Sequence, residues 1–215
     1  MATTGRRVGL TRDRVLRTAL EAAGREGVEK LSMRRLGAEL GVEAMTLYHY
    51  VPNKAALLDG LVELVLSAVR PSFEGPADQW PQRLREFAVA LRAELLLHPG
   101  VIALVATRPV RSSAALCAAE DAAAALGRAG IPPVRALRIV NAVSTLVLGH
   151  CLAEAAATPG HEDEPTDVDV DAARFPVLAA AVAGGLGTPA DHQARFDLAL
   201  DALLTGLPVG ADERR

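Results

Sequence analysis

Thr46, Tyr48, His49 and Tyr50 bring hydroxyl, phenol and imidazole groups close together, with Lys54 just beyond and Ser32 and Arg34 a short way before them. These types do not assemble a covalent catalyst, because no nucleophile here has a base and an orienting acid at a legible spacing. They do suit recognition of a duplex, in which hydrogen-bonding side chains read base edges while cations and helix N-termini hold phosphates. Lysine occurs only twice in the chain, at Lys30 and Lys54. One of the two directly follows the aromatic cluster, which supports a phosphate role there.

Such a surface works only if a short helix presents it outward and neighbouring helices hold that helix still. The stretch from Leu31 to Tyr50 has this pattern. Ser32 can cap a helix over residues 33–40, and Gly41 supplies a tight turn because it takes positive φ without a steric penalty. A third helix is expected over residues 43–50. Gly37 and Ala38 are small enough for it to approach, and Leu36, Leu40, Val42 and Leu47 form the shared apolar core. Glu43, Ala44, Thr46, Tyr48 and His49 are left on the outer face.

Upstream, Thr11 caps a first helix that runs to residue 26, with Val15, Ala19, Leu20 and Ala23 at helical spacing and Gly27 as its stop. Downstream, Pro52 breaks the chain and Asn53 caps a fourth helix over residues 54–69. This is the grammar of a helix-turn-helix, whose second helix enters a major groove. A generic three-helix bundle with a solvated basic face is the plainer alternative. The Tyr-x-Tyr and Asn-Lys tail speaks against it.

Charge is distributed accordingly. Up to Lys54 the chain carries ten Lys and Arg against six acids, whereas the net charge of the whole is −3. A basic end on an acidic body is expected where one part meets a polyanion. The chain has 50% hydrophobic and only 3% aromatic residues and is rich in good helix formers, which disfavours an all-β fold. Residues 139–157 form the longest apolar tract, but Asn141, Ser144, His150 and Glu154 make it a poor membrane span. Residues 1–10 lack the apolar segment of a secretory signal. Cys117 and Cys151, far apart and without a CxxC, suggest reduced thiols in a cytoplasm and a role as small buried hydrophobes.

Residues 11–69 resemble the DNA-binding domain of TetR-family transcriptional regulators. The segment Leu40-Gly-Val-Glu-Ala-Met-Thr-Leu-Tyr-His-Tyr-Val-Pro-Asn-Lys-Ala-Ala-Leu-Leu-Asp59 is close to that family's signature. The resemblance implies an all-α homodimer whose N-terminal domains read a palindromic double-stranded DNA operator and whose larger C-terminal domain binds a small inducer. By position, Thr46, Tyr48, His49 and Tyr50 match the recognition-helix face, Lys54 the phosphate-contacting lysine, and Ser32 and Arg34 contacts at the second helix. Met33 and Ala44 stand where other members often place polar readers. The DNA-contacting set that the resemblance implies is Ser32, Arg34, Ala44, Met45, Thr46, Tyr48, His49, Tyr50 and Lys54.

In the second half, helices are expected over residues 78–98, 101–107, 112–129, 133–157, 175–184 and 190–207, with an exposed acidic loop over 158–171. The blocks from Arg174 to Ala181 and from Phe196 to Leu207 are similar, more weakly, to the tetracycline-repressor subgroup. On the last helix Phe196, Ala199, Leu200, Leu203 and Leu207 form a stripe, read either as intramolecular core or, with the helix of 133–157, as a dimer seam. Asn141, Ser144, Thr145 and His150 are either satisfied core polar groups or hydrogen-bonding points in an apolar ligand cavity. His98 either caps its own helix or faces that cavity.

His161-Glu-Asp-Glu164 reads as solvated loop rather than a metal site, since adjacent residues rarely converge on one ion. No cofactor is expected, and no P-loop, nucleophile elbow, H-E-x-x-H or dinucleotide fingerprint points to an enzyme. The expected organisation is a helix-turn-helix DNA-binding domain over residues 1–70 and a helical ligand-binding and dimerisation domain over 71–215. The expected function is a cytoplasmic repressor released from its operator by a small molecule. The alternative is a helical small-molecule binder or enzyme with a vestigial DNA-binding module.

Overall fold

A computed structural model describes residues 9–108, 113–155 and 170–207. Among them all regular structure is helical. Local capping sets where the first helices begin. α1 (Arg12–Glu26) starts where the Arg14 N–H donates to the Thr11 hydroxyl at 3.2 Å. α2 (Met33–Leu40) starts where the Arg35 N–H donates to the Ser32 hydroxyl at 3.3 Å, and α4 (Lys54–Ala68) where the Ala56 N–H donates to Asn53 Oδ1 at 2.8 Å. Each cap is worth about 1 kcal/mol, more than propensity differences between neighbouring start positions.

α3 (Ala44–Leu47) is shorter than the sequence suggests. Residues 48–50 continue as tight turns, with the His49 N–H on the Thr46 carbonyl at 3.3 Å and the Tyr50 N–H on the Leu47 carbonyl at 2.9 Å. Pro52 has no N–H to extend the ladder, whose last bond is the Val51 N–H on the Leu47 carbonyl at 2.9 Å. Between α2 and α3, Gly41 sits at φ +70° in the left-handed region, as its type predicts. Gly37 is the contact point: a Cβ there would lie 2.8 Å from the Val42 carbonyl oxygen and 3.2 Å from the Ala44 nitrogen. Ala38, expected at the same crossing, faces solvent instead. Val15, Leu16, Leu20, Leu36, Leu47, Leu57 and Leu61 close the core of the head. Met33 belongs to that core as well, and so is no surface reader.

The body contains α5 (Trp80–Leu97), α6 (Ile102–Thr107), α7 (Ser113–Arg128), α8 (Pro133–Ala155), α9 (Pro176–Ala183) and α10 (Pro189–Thr205). α8 is long and apolar enough to cross a membrane, yet it lies in the middle of the body, packed on α5, α6, α7 and α10. Its Ala136, Ile139, Val140, Val143, Val147 and Cys151 are buried there. On α10 the buried positions are Phe196, Leu200 and Leu204, while Ala199 and Leu203, and Leu207 just beyond its end, are only half-buried. The stripe is thus intramolecular core, shifted by one residue toward Leu204. Leu198 on the other side of α10 is 72% exposed, and Leu137 and Leu152 of α8 are exposed too. The acidic loop, apart from its last two positions, and the C-terminal tail lie outside the described residues.

Among the described residues, head and body meet in two main places besides the chain itself. A 3₁₀ turn at Pro99–Val101 packs on α1, and α4 packs on α5, α6 and α7. α4 is therefore an element of both parts.

Candidate nucleic-acid interface and effector cavity

Met45, Tyr48 and His49 stand outermost on α3 and the turn after it. Their i, i+3, i+4 spacing puts them on one face. Met45 is 69% exposed and Tyr48 41%. Ala44, Thr46 and Tyr50 are half-buried, with Ala44 and Tyr50 leaning on the core of the head, and Leu47 is fully inside. The outward set is thus narrower than expected and centred on Met45, an apolar group suited to a thymine methyl.

The flanking cations divide sharply. Arg12 pairs with Glu63 at 3.1 Å, Arg17 with Asp13 at 2.7 Å, Arg25 with Glu39 and Arg35 with Glu26. Arg34 and Lys54 are exposed and, among the described residues, form no ion pair or hydrogen bond. Ser32 already accepts the Arg35 N–H, so its hydroxyl proton remains to donate. Lys54 also opens α4, where free N–H groups and the helix dipole favour an anion. A phosphate chain laid across α3 would meet a charge at each side.

In the body, a cavity of about 350 Å³ opens between the end of α4, the α4–α5 linker, α5, α6, α7 and α8. This volume is within the range of small-molecule sites. Leu66 and Val69 of α4, Phe73 of the linker, Phe87 of α5 and Val105 of α6 contribute apolar wall, and α7 adds a face of alanines. Asn141, Ser144 and Thr145 of α8 all line it, as the ligand reading requires. Ser144 donates its hydroxyl proton to the Val140 carbonyl at 2.9 Å, leaving lone pairs for a ligand. Phe73 and Phe87 went unnoticed in the sequence, since only the chain reversal between α4 and α5 brings their rings to a 6.2 Å centroid separation.

His98 is not in the cavity wall. It ends α5, where its N–H donates to the Leu95 carbonyl at 3.0 Å and its ring lies 3.4 Å from Glu94. His150 also lies elsewhere, in a polar cluster that ties α5, α8 and α10 together. There Arg92 holds Glu154 through two hydrogen bonds of 3.0 and 2.8 Å, donates to Gln193 at 2.7 Å and lies 5.0 Å over the Phe196 ring. Burial lowers the His150 pKa, with Arg92 and Arg195 acting the same way against Glu154. Burial pushes the Cys151 thiol up to about 11. Cys117, by contrast, is exposed on α7 and is no buried hydrophobe. No three His, Cys, Asp or Glu side chains among the described residues are grouped to hold a metal ion. The His161–Glu164 loop lies outside the described residues.

Besides α4 itself, an ion pair joins cavity and head. Arg108, just beyond α6, pairs with Asp59 of α4 and donates to the Ala55 carbonyl at 3.4 Å. Val105, on the same short helix, lines the cavity.

Residues 15–61 match the family described as bacterial regulatory proteins, tetR family, and residues 72–210 match the tetracyclin repressor-like C-terminal domain. The chain is 35% identical over 210 residues to an HTH-type transcriptional regulator of Saccharopolyspora erythraea, covering 94% of this chain and 86% of that one. It is 31% identical over 228 residues to the HTH-type transcriptional repressor DrrR1 of Streptomyces coeruleorubidus, covering 96% and 80%. The crystal structure of the Streptomyces coelicolor TetR family protein ActR in complex with actinorhodin is similar at a TM-score of 0.73 and 27% identity, covering 93% of this chain and 97% of that one. Since both halves match and the relatives are covered along most of their length, this chain belongs to the TetR family, the ligand-responsive helix-turn-helix repressors of transcription.

Proposed function

We propose that residues 1–70 are the DNA-reading head and residues 71–215 the effector-binding and dimerisation body of a cytoplasmic homodimeric repressor. The heads of the two protomers place Met45, Tyr48 and His49 in successive major grooves of a palindromic operator, about 34–36 Å apart. Ser32, Arg34 and Lys54 hold phosphates on either side, and Ala44, Thr46 and Tyr50 set the height of the reading face. The observation that carries this reading is the exposed Met45–Tyr48–His49 face flanked by two cations without an acidic partner among the described residues. A ligand in the 350 Å³ cavity acts on the heads through α4 and Arg108, both of which reach from cavity to head. It shifts the equilibrium only by its difference in affinity for the two arrangements.

Selection of bound DNA from a random pool should return a palindrome. On that sequence, Lys54→Ala should weaken all duplexes alike and reduce the salt slope by about one unit per protomer, whereas His49 or Met45 changes should alter base preference. Unchanged specific binding by both Tyr48→Ala and Lys54→Ala would overturn this assignment of contacts.

A further inference from the structure

We propose that the body cavity takes a neutral, metal-free aromatic molecule carrying a hydroxyl or carbonyl edge; this rests on the cavity being the effector site. Every described residue of its wall is uncharged. Moving an ionised group into such surroundings without a counter-charge is heavily unfavourable. A divalent-metal chelate is disfavoured for a related reason: no carboxylate or imidazole among the described lining residues offers the metal a ligand.

The polar groups are few and one-sided. Asn141, Ser144 and Thr145 share a single helix, and the α4, α5 and α6 walls are hydrocarbon. Ser144 can only accept, because its proton is given to Val140. The side chains of Asn141 and Thr145 form no hydrogen bond among the described residues, so each offers both a donor and an acceptor. A hydroxyl beside a carbonyl satisfies that set, whereas a purely hydrocarbon ligand leaves it unpaired. The Phe73 and Phe87 rings offer aromatic surface, and the alanines of α7 let a flat ring approach closely.

The test uses the full chain and two dyes of the same skeleton, N-phenyl-1-naphthylamine and its 8-sulfonate, titrated by fluorescence with and without magnesium. The neutral dye should bind at one site per chain, more than about tenfold tighter than the sulfonate, and without regard to magnesium. Ala119→Phe should fill the cavity and abolish binding. If that variant fails to fold, Thr145→Arg at the exposed rim provides the second readout, and the preference should turn toward the sulfonate. For the polar edge, 3-hydroxyflavone should bind tighter than flavone, and Asn141→Leu should erase the difference. Equal or tighter sulfonate binding, a requirement for magnesium, no preference for 3-hydroxyflavone, or no effect of Thr145→Arg would overturn the proposal. Operator binding is measured separately on the selected palindrome. Dye binding without any operator complex would count against the regulatory reading alone, and an operator complex with the wrong dye preference against the ligand class alone.

Discussion

His150 shows how one side chain carries a solvent condition into the stability of the body. Its ring lies 5.2 Å from Phe196 and 6.4 Å from His192, near Glu154 of its own helix, Arg92 of α5 and Arg195 of α10. Burial holds its folded pKa below the ordinary value of 6.5. The unfolded chain therefore binds the proton first as pH falls. The stability tied to this ring is complete above about 6.5 and is lost as pH drops from there toward the folded value. Melting temperature should fall between pH 7 and pH 5 more steeply in the native chain than in His150→Leu, and equal slopes would refute the assignment. At this scale the sequence is legible only where chemistry is local. Ser32, Asn53 and Thr11 cap as read, because a cap needs only the next three residues. The exposure of Cys117 was not legible, since it sits in a helix of small residues whose two faces look alike in the sequence.

Among the elements, α3 depends on its neighbour more than on itself, since four helical residues cannot persist alone. The close approach at Gly37 fixes its seat. Gly37→Ala should destabilise the head by about 1–3 kcal/mol, because the atoms in the way are the backbone of Val42 and Ala44 rather than a side chain that can swing aside. Urea denaturation checks it, with Gly127→Ala on α7, where a Cβ meets nothing within 4 Å, as the control that should not destabilise. The link between α6 and α4 makes a different prediction. Arg108→Ala should leave operator affinity near native while shrinking ligand-driven release by about fivefold or more, read by anisotropy with and without a cavity ligand. Element boundaries were readable to within a few residues from glycine, proline and capping positions. Of the cavity wall only Asn141, Ser144 and Thr145 were legible, because Leu66, Phe73, Phe87 and Val105 meet only after α4, α5 and α6 have packed.

For the molecule as a whole, charge and apolar surface divide the work. The basic head faces the operator, and the more acidic body adds no attraction for DNA away from it. Leu198 of α10 and Leu137 and Leu152 of α8 are apolar side chains that the body's own core leaves exposed. Because members of this family act as dimers, Leu198 is the position at which to test the seam between protomers. Leu198→Asp should raise the dimer dissociation constant, and operator affinity should fall with it while the helical content of the protomer stays native. Sedimentation together with circular dichroism reads both, and an unchanged association would place the seam elsewhere.

The dual membership of α4 has a practical corollary for anyone retuning this repressor as a sensor. Leu66 and Val69 belong to the same rigid rod whose first residue is Lys54. Substitutions there will rarely change the chemical that is detected without also moving the baseline of the genetic output. The alanine positions of α7 and Ser144 of α8 lie on helices other than that rod and are the better place to diversify a library.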